Sequence, residues 1–199
     1  MKFIAIQWIS GSGKTTLAQE IVSRNTEVFH IKLDWYFHEW EKIISMKNKE
    51  DIFAFDKEKF EMDIQKLKIQ QIFTERTYDF THKQSIVTRE LVIPENSTII
   101  IEWIHAFRFE SIIGHYSQKI FLDTPIEIAL VHRMKRDYNT TDPERKIKPI
   151  WEYLEYLEHY VIPSQHEIRE YGRTQADIII QYADNLKAID TILQWLGMH

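Results

Sequence analysis

Cysteine is absent from the 199 residues. Disulfides, thiolate metal sites and a cysteine nucleophile are therefore excluded, and the composition fits a reducing compartment, so a cytoplasmic location is expected. Glycine and proline occur only 5 times each. No Pro/Gly-rich linker, low-complexity tract or internal repeat interrupts the chain, and one domain over 1–199 is expected. No apolar run approaches the roughly 20 residues that span a bilayer. Phe3–Ile9 after Lys2 loosely imitates a signal peptide, but it is short and carries Gln7. Basic charge is not in excess either: 25 Lys and Arg stand against 30 Asp and Glu, a net charge of −5. That argues against a nucleic-acid-coating surface and a polybasic membrane patch, so neither partner is expected. With 44% hydrophobic and 13% aromatic residues, the chain has enough apolar surface for a packed core.

Two of the few glycines stand together. The apolar run Phe3-Ile4-Ala5-Ile6-Gln7-Trp8 leads into Ile9-Ser10-Gly11-Ser12-Gly13-Lys14-Thr15-Thr16, and an amphipathic stretch from Leu17 follows. Strand, Gly/Ser loop, Lys-Thr and helix come in the order of a phosphate-binding loop. Gly11 and Gly13 permit positive φ, so successive backbone N–H groups can turn toward a phosphate, and the helix start adds its positive dipole end. Lys14 supplies a mobile cation, and the Thr15 hydroxyl is a ligand for Mg²⁺. Ser10, Gly11, Ser12, Gly13, Lys14, Thr15 and Thr16 are the expected nucleotide-binding residues. The pattern G-x-x-x-x-G-K-[ST] has Gly where this chain has Trp8. A ligand-free strand-to-helix turn is the bland alternative.

Apolar runs alternate with helical patterns, which predicts βαβ units around a parallel sheet. Predicted strands are Lys2–Gln7, Val28–Leu33, Thr98–Glu102, Gln118–Leu122 and Ala176–Ile180. Predicted helices are Lys14–Arg24, Lys57–Ile69, Pro125–Arg136 with Thr124 as N-cap, a long one around Pro149–Tyr160, and Asn185–Leu196. Glu39–Ala54 and Asp137–Lys148 read as insertions. Ligands of such sheets sit at the C-terminal strand ends.

Candidate chemistry falls at those ends. Asp34 follows the second predicted strand and suits a base for an attacking hydroxyl or a Mg²⁺ partner; a solvated strand-end Asp is the alternative. Glu102 closes the third strand, where an acid reaches Mg²⁺ directly or through water, unless it is a plain terminal charge. Arg133 and Arg136 end a helix before a polar loop and could close over phosphates, although basic residues favour helix C-termini anyway. Tyr78-Asp79-Phe80-Thr81-His82-Lys83 reads as a loop whose aromatic groups either stack on substrate or pack locally. His105, His115, His159, His166 and His199 show no metal-ligand spacing.

This ordered set resembles the uridine kinase and phosphoribulokinase-like branch of P-loop kinases across nearly the whole chain. Leu33-Asp34-Trp35-Tyr36-Phe37 is similar to its Asp-x-Phe-Tyr segment, Thr77-Tyr78-Asp79-Phe80 to its nucleoside-contacting loop, and Ile99–Phe107 to its strand-Glu-Gly segment. Ile120–Thr124 with Arg133-x-x-Arg136-Asp137 is similar to its fourth strand and lid. Ala176–Ile180 with Ala183-Asp184-Asn185-Leu186 is similar to its last strand and the turn beside adenine. The resemblance implies Asp34, Lys14, Arg133 and Arg136 as catalytic groups and Thr15 and Glu102 at the metal. It implies Asn185 at the nucleotide, and Asp34, Tyr78, Phe80, Lys83 and Trp103 at the acceptor.

The chain departs from that pattern at Trp8 and Trp103, both Gly in the family. Two indoles are expected to flank the crevice, and Trp8 to carry strain of about 1–2 kcal/mol if its φ must be positive. His82 stands one position before the family's substrate-facing His. Ala129 and His132 replace lid arginines. The family's acceptor acid before the Lys57 helix is Glu50, Asp51 or missing. The expected fold is a three-layer α/β/α P-loop domain with a five-stranded parallel sheet in order 2-3-1-4-5. Its lid covers about residues 133–148, and a substrate-side insertion covers about 39–90. The expected activity is ATP- and Mg²⁺-dependent transfer of the γ-phosphoryl group to a hydroxyl of uridine, cytidine or another small molecule. A nucleotide-binding regulatory or degenerate kinase is the alternative. A GTPase switch is disfavoured because no Asn-Lys-x-Asp signature occurs.

Overall fold

The computed structural model describes residues 1–39, 42, 46, 48, 50–79, 82, 84–139, 149–182, 192 and 194, with Lys14 and Thr16 described at the backbone only. Phe80, Lys83, Asn185 and most of the expected Asn185–Leu196 helix lie outside these residues.

Strand β1 spans Lys2–Gln7 and passes through a glycine loop into helix α1, Lys14–Arg24. Strand β2 is Val28–Lys32, followed by a 3₁₀ turn at Leu33–Tyr36 and another at Ile52–Ala54. Helix α2, Lys57–Gln70, is capped by Asp56, whose carboxylate accepts from the Lys59 N–H at 3.0 Å. Strands β3 (Ile72–Asp79) and β4 (Gln84–Val92) come next, then β5 (Thr98–Trp103). A 3₁₀ turn at Ala106–Phe109 runs into α3, Glu110–Ile113. Strand β6 (Gln118–Asp123) and helix α4 (Ile126–Tyr138) precede α5 (Ile150–Tyr156), a π turn at Leu157–Val161, α6 (Ile162–Gln175) and β7 (Ile178–Gln181).

Among the described residues the main sheet has five parallel strands in the order β2-β5-β1-β6-β7. Counting parallel strands alone, this is the expected 2-3-1-4-5. Helices flank the sheet in a three-layer α/β fold. β1 and β5 are covered on both faces, so Ile4, Ala5 and Ile6 and Ile99, Ile100 and Ile101 are all buried. Double coverage is why these strands read as continuous apolar runs rather than as alternation.

The sequence reading missed the antiparallel β3–β4 hairpin, with its register shift between Glu75 and Arg76. Tyr78 and Asp79 therefore end a strand rather than sit in a loop. β4 is mostly exposed and β3 carries Glu75 and Arg76 mid-strand, so neither shows a strand-like apolar pattern. Pro125, not Thr124, occupies the N-cap of α4. The helix predicted around Pro149–Tyr160 continues to Gln175, because the π turn just before Pro163 widens the ladder where proline has no N–H.

Candidate active site

Parallel pairing brings three chain exits to one edge of the sheet. Gln7 lies beside Trp103 and Lys32 beside Glu102 in register. The glycine loop after β1, the turn carrying Asp34 after β2 and Glu102 near the end of β5 thus share one rim.

In the loop, Gly11 has φ 94° and Gly13 φ 93°, both left-handed as expected. Gly11 is required a second time by a close approach: a Cβ there would stand 2.1 Å from the Ala129 carbonyl oxygen of α4. The Ser12 hydroxyl donates to the Ile9 carbonyl at 2.6 Å. The His132 Nδ1–H donates to the Gly11 carbonyl at 3.2 Å, and the Gln165 side-chain amide donates to the Ser10 carbonyl at 3.3 Å. Helices α4 and α6 therefore clasp the loop by its acceptors. Ala129 is fully buried against it, so the family's arginine would have no room there.

The expectation for Trp8 is corrected. Among the described residues Gln71 alone is a non-glycine with positive φ, so Trp8 carries no left-handed strain. Its indole is wholly buried. The second indole is likewise no open wall. Trp103 is 1% exposed and packs on Phe55 and Phe109 at ring distances of 4.9 and 5.7 Å. Both side chains fill core volume because the rim curls over them. Neither indole N–H has a partner among the described residues.

Asp34 is exposed on its 3₁₀ turn, and buried neighbours hold that turn. The Tyr36 hydroxyl donates to Asp63 at 3.0 Å, and Arg76 grips the same carboxylate through Nε at 2.7 Å and Nη2 at 3.3 Å. Burial, with Asp63 beside it, pushes the Tyr36 hydroxyl far above the usual range. The network ties the turn to α2 and β3. Tyr78 on β3 donates to the His38 carbonyl at 3.4 Å and meets Phe37 edge-on at 6.0 Å.

Glu102 is 2% exposed, and its Oε2 lies 3.1 Å from His30 Nε2 on β2. His30 escaped the sequence reading; its signal is a polar residue two positions before Lys32 on the same strand face. The groups expected at a metal or beside it, the Thr15 hydroxyl and the Glu102 and Asp34 carboxylates, all present oxygen, which suits Mg²⁺. Among the described residues no cluster of three or more His, Cys, Asp or Glu could hold a metal by itself, so phosphate oxygens would complete the set.

The lid arginines part company. Arg136 is exposed and pairs with Asp137 at 3.1 Å. Arg133 is 8% exposed and forms a buried ion pair with Glu50, 83 positions away. Its head therefore points to the chain before the Ile52 turn instead of lying over the glycine loop. Of the two acids expected at the acceptor, Glu50 pairs with Arg133, and Asp51 accepts from the Phe53 N–H and so caps the 3₁₀ turn at Ile52. A third acid stands at the N-cap of α2: Asp56, whose Oδ2 lies 3.7 Å from His38 Nδ1. Burial raises its carboxyl, but the Lys59 N–H and ammonium and His38 outweigh that and hold it below the usual range. The N-cap pattern before Lys57-Glu58-Lys59 was its one sequence signal. His105 is a core residue: its Nε2–H donates to the Glu50 carbonyl at 2.8 Å, and burial, aided by Arg108, pushes its pKa down to about 4.

Among the described residues no helix is long and apolar enough to cross a membrane. The phosphoribulokinase/uridine kinase family profile matches residues 3–185. The chain is 32% identical over 192 residues to "Uridine kinase-like protein 5" of Arabidopsis thaliana, which covers 93% of this chain but only 40% of that protein. It is 34% identical over 140 residues to a uridine kinase of Borrelia garinii subsp. bavariensis, covering 68% of this chain and 67% of that one. In fold it is similar to a D-glycerate 3-kinase from Cryptococcus neoformans, with a TM-score of 0.66, 11% identity, and coverage of 92% and 86% of the two chains. The chain belongs to the phosphoribulokinase/uridine kinase family of P-loop kinases, which phosphorylate small molecules.

Proposed function

We propose that the protein binds Mg²⁺–ATP at the Ser10–Thr16 loop and transfers the γ-phosphoryl group to a hydroxyl of a small molecule, with a nucleoside such as uridine or cytidine as the first acceptor to test. The observation that carries this reading is the shared rim of the paired left-handed glycines, Asp34 and Glu102. Loop amides and Lys14 hold the phosphates, and the helix start adds favourable potential. Asp34 takes the proton of the acceptor hydroxyl. The acceptor oxygen attacks the γ-phosphorus, the bond from that phosphorus to the β,γ-bridging oxygen breaks, and ADP leaves. Thr15 and Glu102 would hold Mg²⁺, which when bound neutralises phosphate charge. Arg133 and Arg136 on the lid, about residues 133–148, offset charge developing on the phosphoryl oxygens. Tyr78 and Asp56 serve the acceptor side, within the insertion at about 39–90, and the resemblance extends that role to Phe80 and Lys83, outside the described residues. The resemblance assigns the base of ATP to Asn185, outside the described residues.

The test is ADP formation with a panel of nucleosides, sugars and hydroxy acids, run beside Asp34→Asn. Acceptor-dependent ADP release that drops by about 10²–10³ in the variant is expected. Tight ATP binding without acceptor-dependent release would favour the second reading, a regulatory nucleotide binder. The engagement of Arg133 with Glu50 is what motivates that alternative.

A further inference from the structure

The ion pair between Arg133 and Glu50 joins α4, beside the glycine loop, to the chain before the Ile52 turn. Arg133 is rooted beside the phosphate loop: a Cβ placed on Gly11 would lie 3.2 Å from the Arg133 Cβ. Its guanidinium nevertheless reaches away to Glu50, in the chain before the Ile52 turn. One end of the side chain is at the glycine loop and the other at Glu50.

Glu50 is itself held firmly. Its carbonyl accepts from buried His105, and its backbone N–H donates to the Asn48 side chain at 2.9 Å. Its second carboxylate oxygen is buried and has no partner among the described residues, and the same is true of His105 Nδ1. The Glu50 oxygen is thus a buried acceptor without a donor, which a hydroxyl group would satisfy. On the arginine side, Nε has no hydrogen-bond partner among the described residues, and Asp137 lies 3.6 Å from it. The guanidinium carries one charge, and it cannot fully serve Glu50 and a γ-phosphate at once.

Resting on the phosphotransferase reading above, we infer that Glu50 is a positioning residue that holds Arg133 off the phosphates until the acceptor arrives. An acceptor hydroxyl donates to the free Glu50 oxygen and weakens its grip on Arg133. The guanidinium then turns from Glu50 to the phosphoryl group, a short swing because its root already lies at Gly11. Without acceptor, bound ATP lacks this cation, so attack by water on the γ-phosphorus, which releases ADP, inorganic phosphate and a proton, stays slow. Glu50 makes the cleft respond to its second substrate and protects ATP from water.

The test measures ADP and phosphate release from Mg²⁺–ATP with no acceptor present, using the whole chain. Glu50→Gln is expected to raise this background about tenfold, with Mg²⁺–ADP affinity, read by calorimetry, about unchanged. Glu50→Asp keeps the charge on a shorter arm and is expected to raise it about twofold. Adding Arg133→Gln to Glu50→Gln is expected to cancel the rise. A background that is unchanged or lower in Glu50→Gln overturns the inference, as does a rise that survives loss of Arg133. A role confined to stability would lower the melting temperature without raising hydrolysis. Should Glu50→Gln fail to fold, Glu50→Asp decides alone: a rise supports the inference and an unchanged rate overturns it. If the unaltered protein binds no Mg²⁺–ADP, the phosphotransferase reading fails and this inference falls with it. If it binds nucleotide and transfers phosphate but the Glu50 variants behave like it, only this inference fails.

Discussion

The glycine-loop end of the site, proposed above for the nucleotide, and the Glu50–Asp63 end, proposed for the acceptor, are built in different ways. The nucleotide end is one continuous strand, loop and helix, braced internally by Ser12 on Ile9 three positions away. The acceptor end is assembled from side chains far apart in the chain: Tyr36 with Asp63, Arg133 with Glu50, His105 with Glu50. A locally encoded cradle keeps its shape by backbone conformation. An end made of distant partners depends on buried charge and hydrogen bonding, where removing one member leaves the other stranded.

The largest expected effect probes the nucleotide end. Gly11→Ala adds left-handed strain and drives a methyl into the Ala129 carbonyl. A loss of about 4 kcal/mol is expected from strain and overpacking together, seen in urea unfolding and as lost Mg²⁺–ADP binding. A variant of normal stability would mean that α4 moves off the loop easily.

At the acceptor end, Asp63→Asn leaves the Arg76 guanidinium partly buried with a weakened partner. About 3 kcal/mol of stability should go, with nucleotide affinity retained if the two ends are as separate as their construction suggests. Equal loss of nucleotide binding would break the comparison.

The third prediction separates the ends by pH. The folded pKa of His105 is near 4, below the unfolded 6.5. Between those values the unfolded chain binds the extra proton, so stability rises with pH and is complete above about 6.5. Lowering pH from 7.5 to 4.5 is expected to remove about 2 kcal/mol through this group. His105→Gln, which keeps a donor for the Glu50 carbonyl, should flatten that part of the curve.

The smallest effect concerns the lid. Burial raises the Asp137 carboxyl, but the Tyr153 hydroxyl at 2.7 Å and the Arg136 and Arg133 guanidiniums outweigh it and hold it below the usual range. Such a group stabilises above its unfolded pKa near 4 and loses that contribution as pH falls through its folded value. Tyr153→Phe should cost about 1 kcal/mol at pH 7 and almost nothing near pH 2. A difference that persists in acid would point to packing of the Tyr138 and Tyr153 rings, 5.2 Å apart, instead of the carboxylate.

What could be read from residues alone follows the same division. Gly11, Gly13 and the apolar runs of β1 and β5 were legible because φ permission and double burial leave marks within a few residues. The hairpin was not, since a two-stranded, largely exposed ribbon needs no apolar alternation. The indoles at 8 and 103 were misjudged for a related reason. A residue type at a known position says what must fit there, while burial depends on whether the surrounding rim closes over it.

The amino-acid order by itself determined the left-handed glycine loop, the five strands and the set of oxygen-bearing groups at their ends, because each rests on local conformation or on periodic burial. Tertiary structure alone decided that Arg133 meets Glu50 rather than solvent, that Asp56 faces His38, and that two tryptophans became core. Those outcomes are choices among competing partners tens of residues apart, and only the packed register of strands and helices selects one of them.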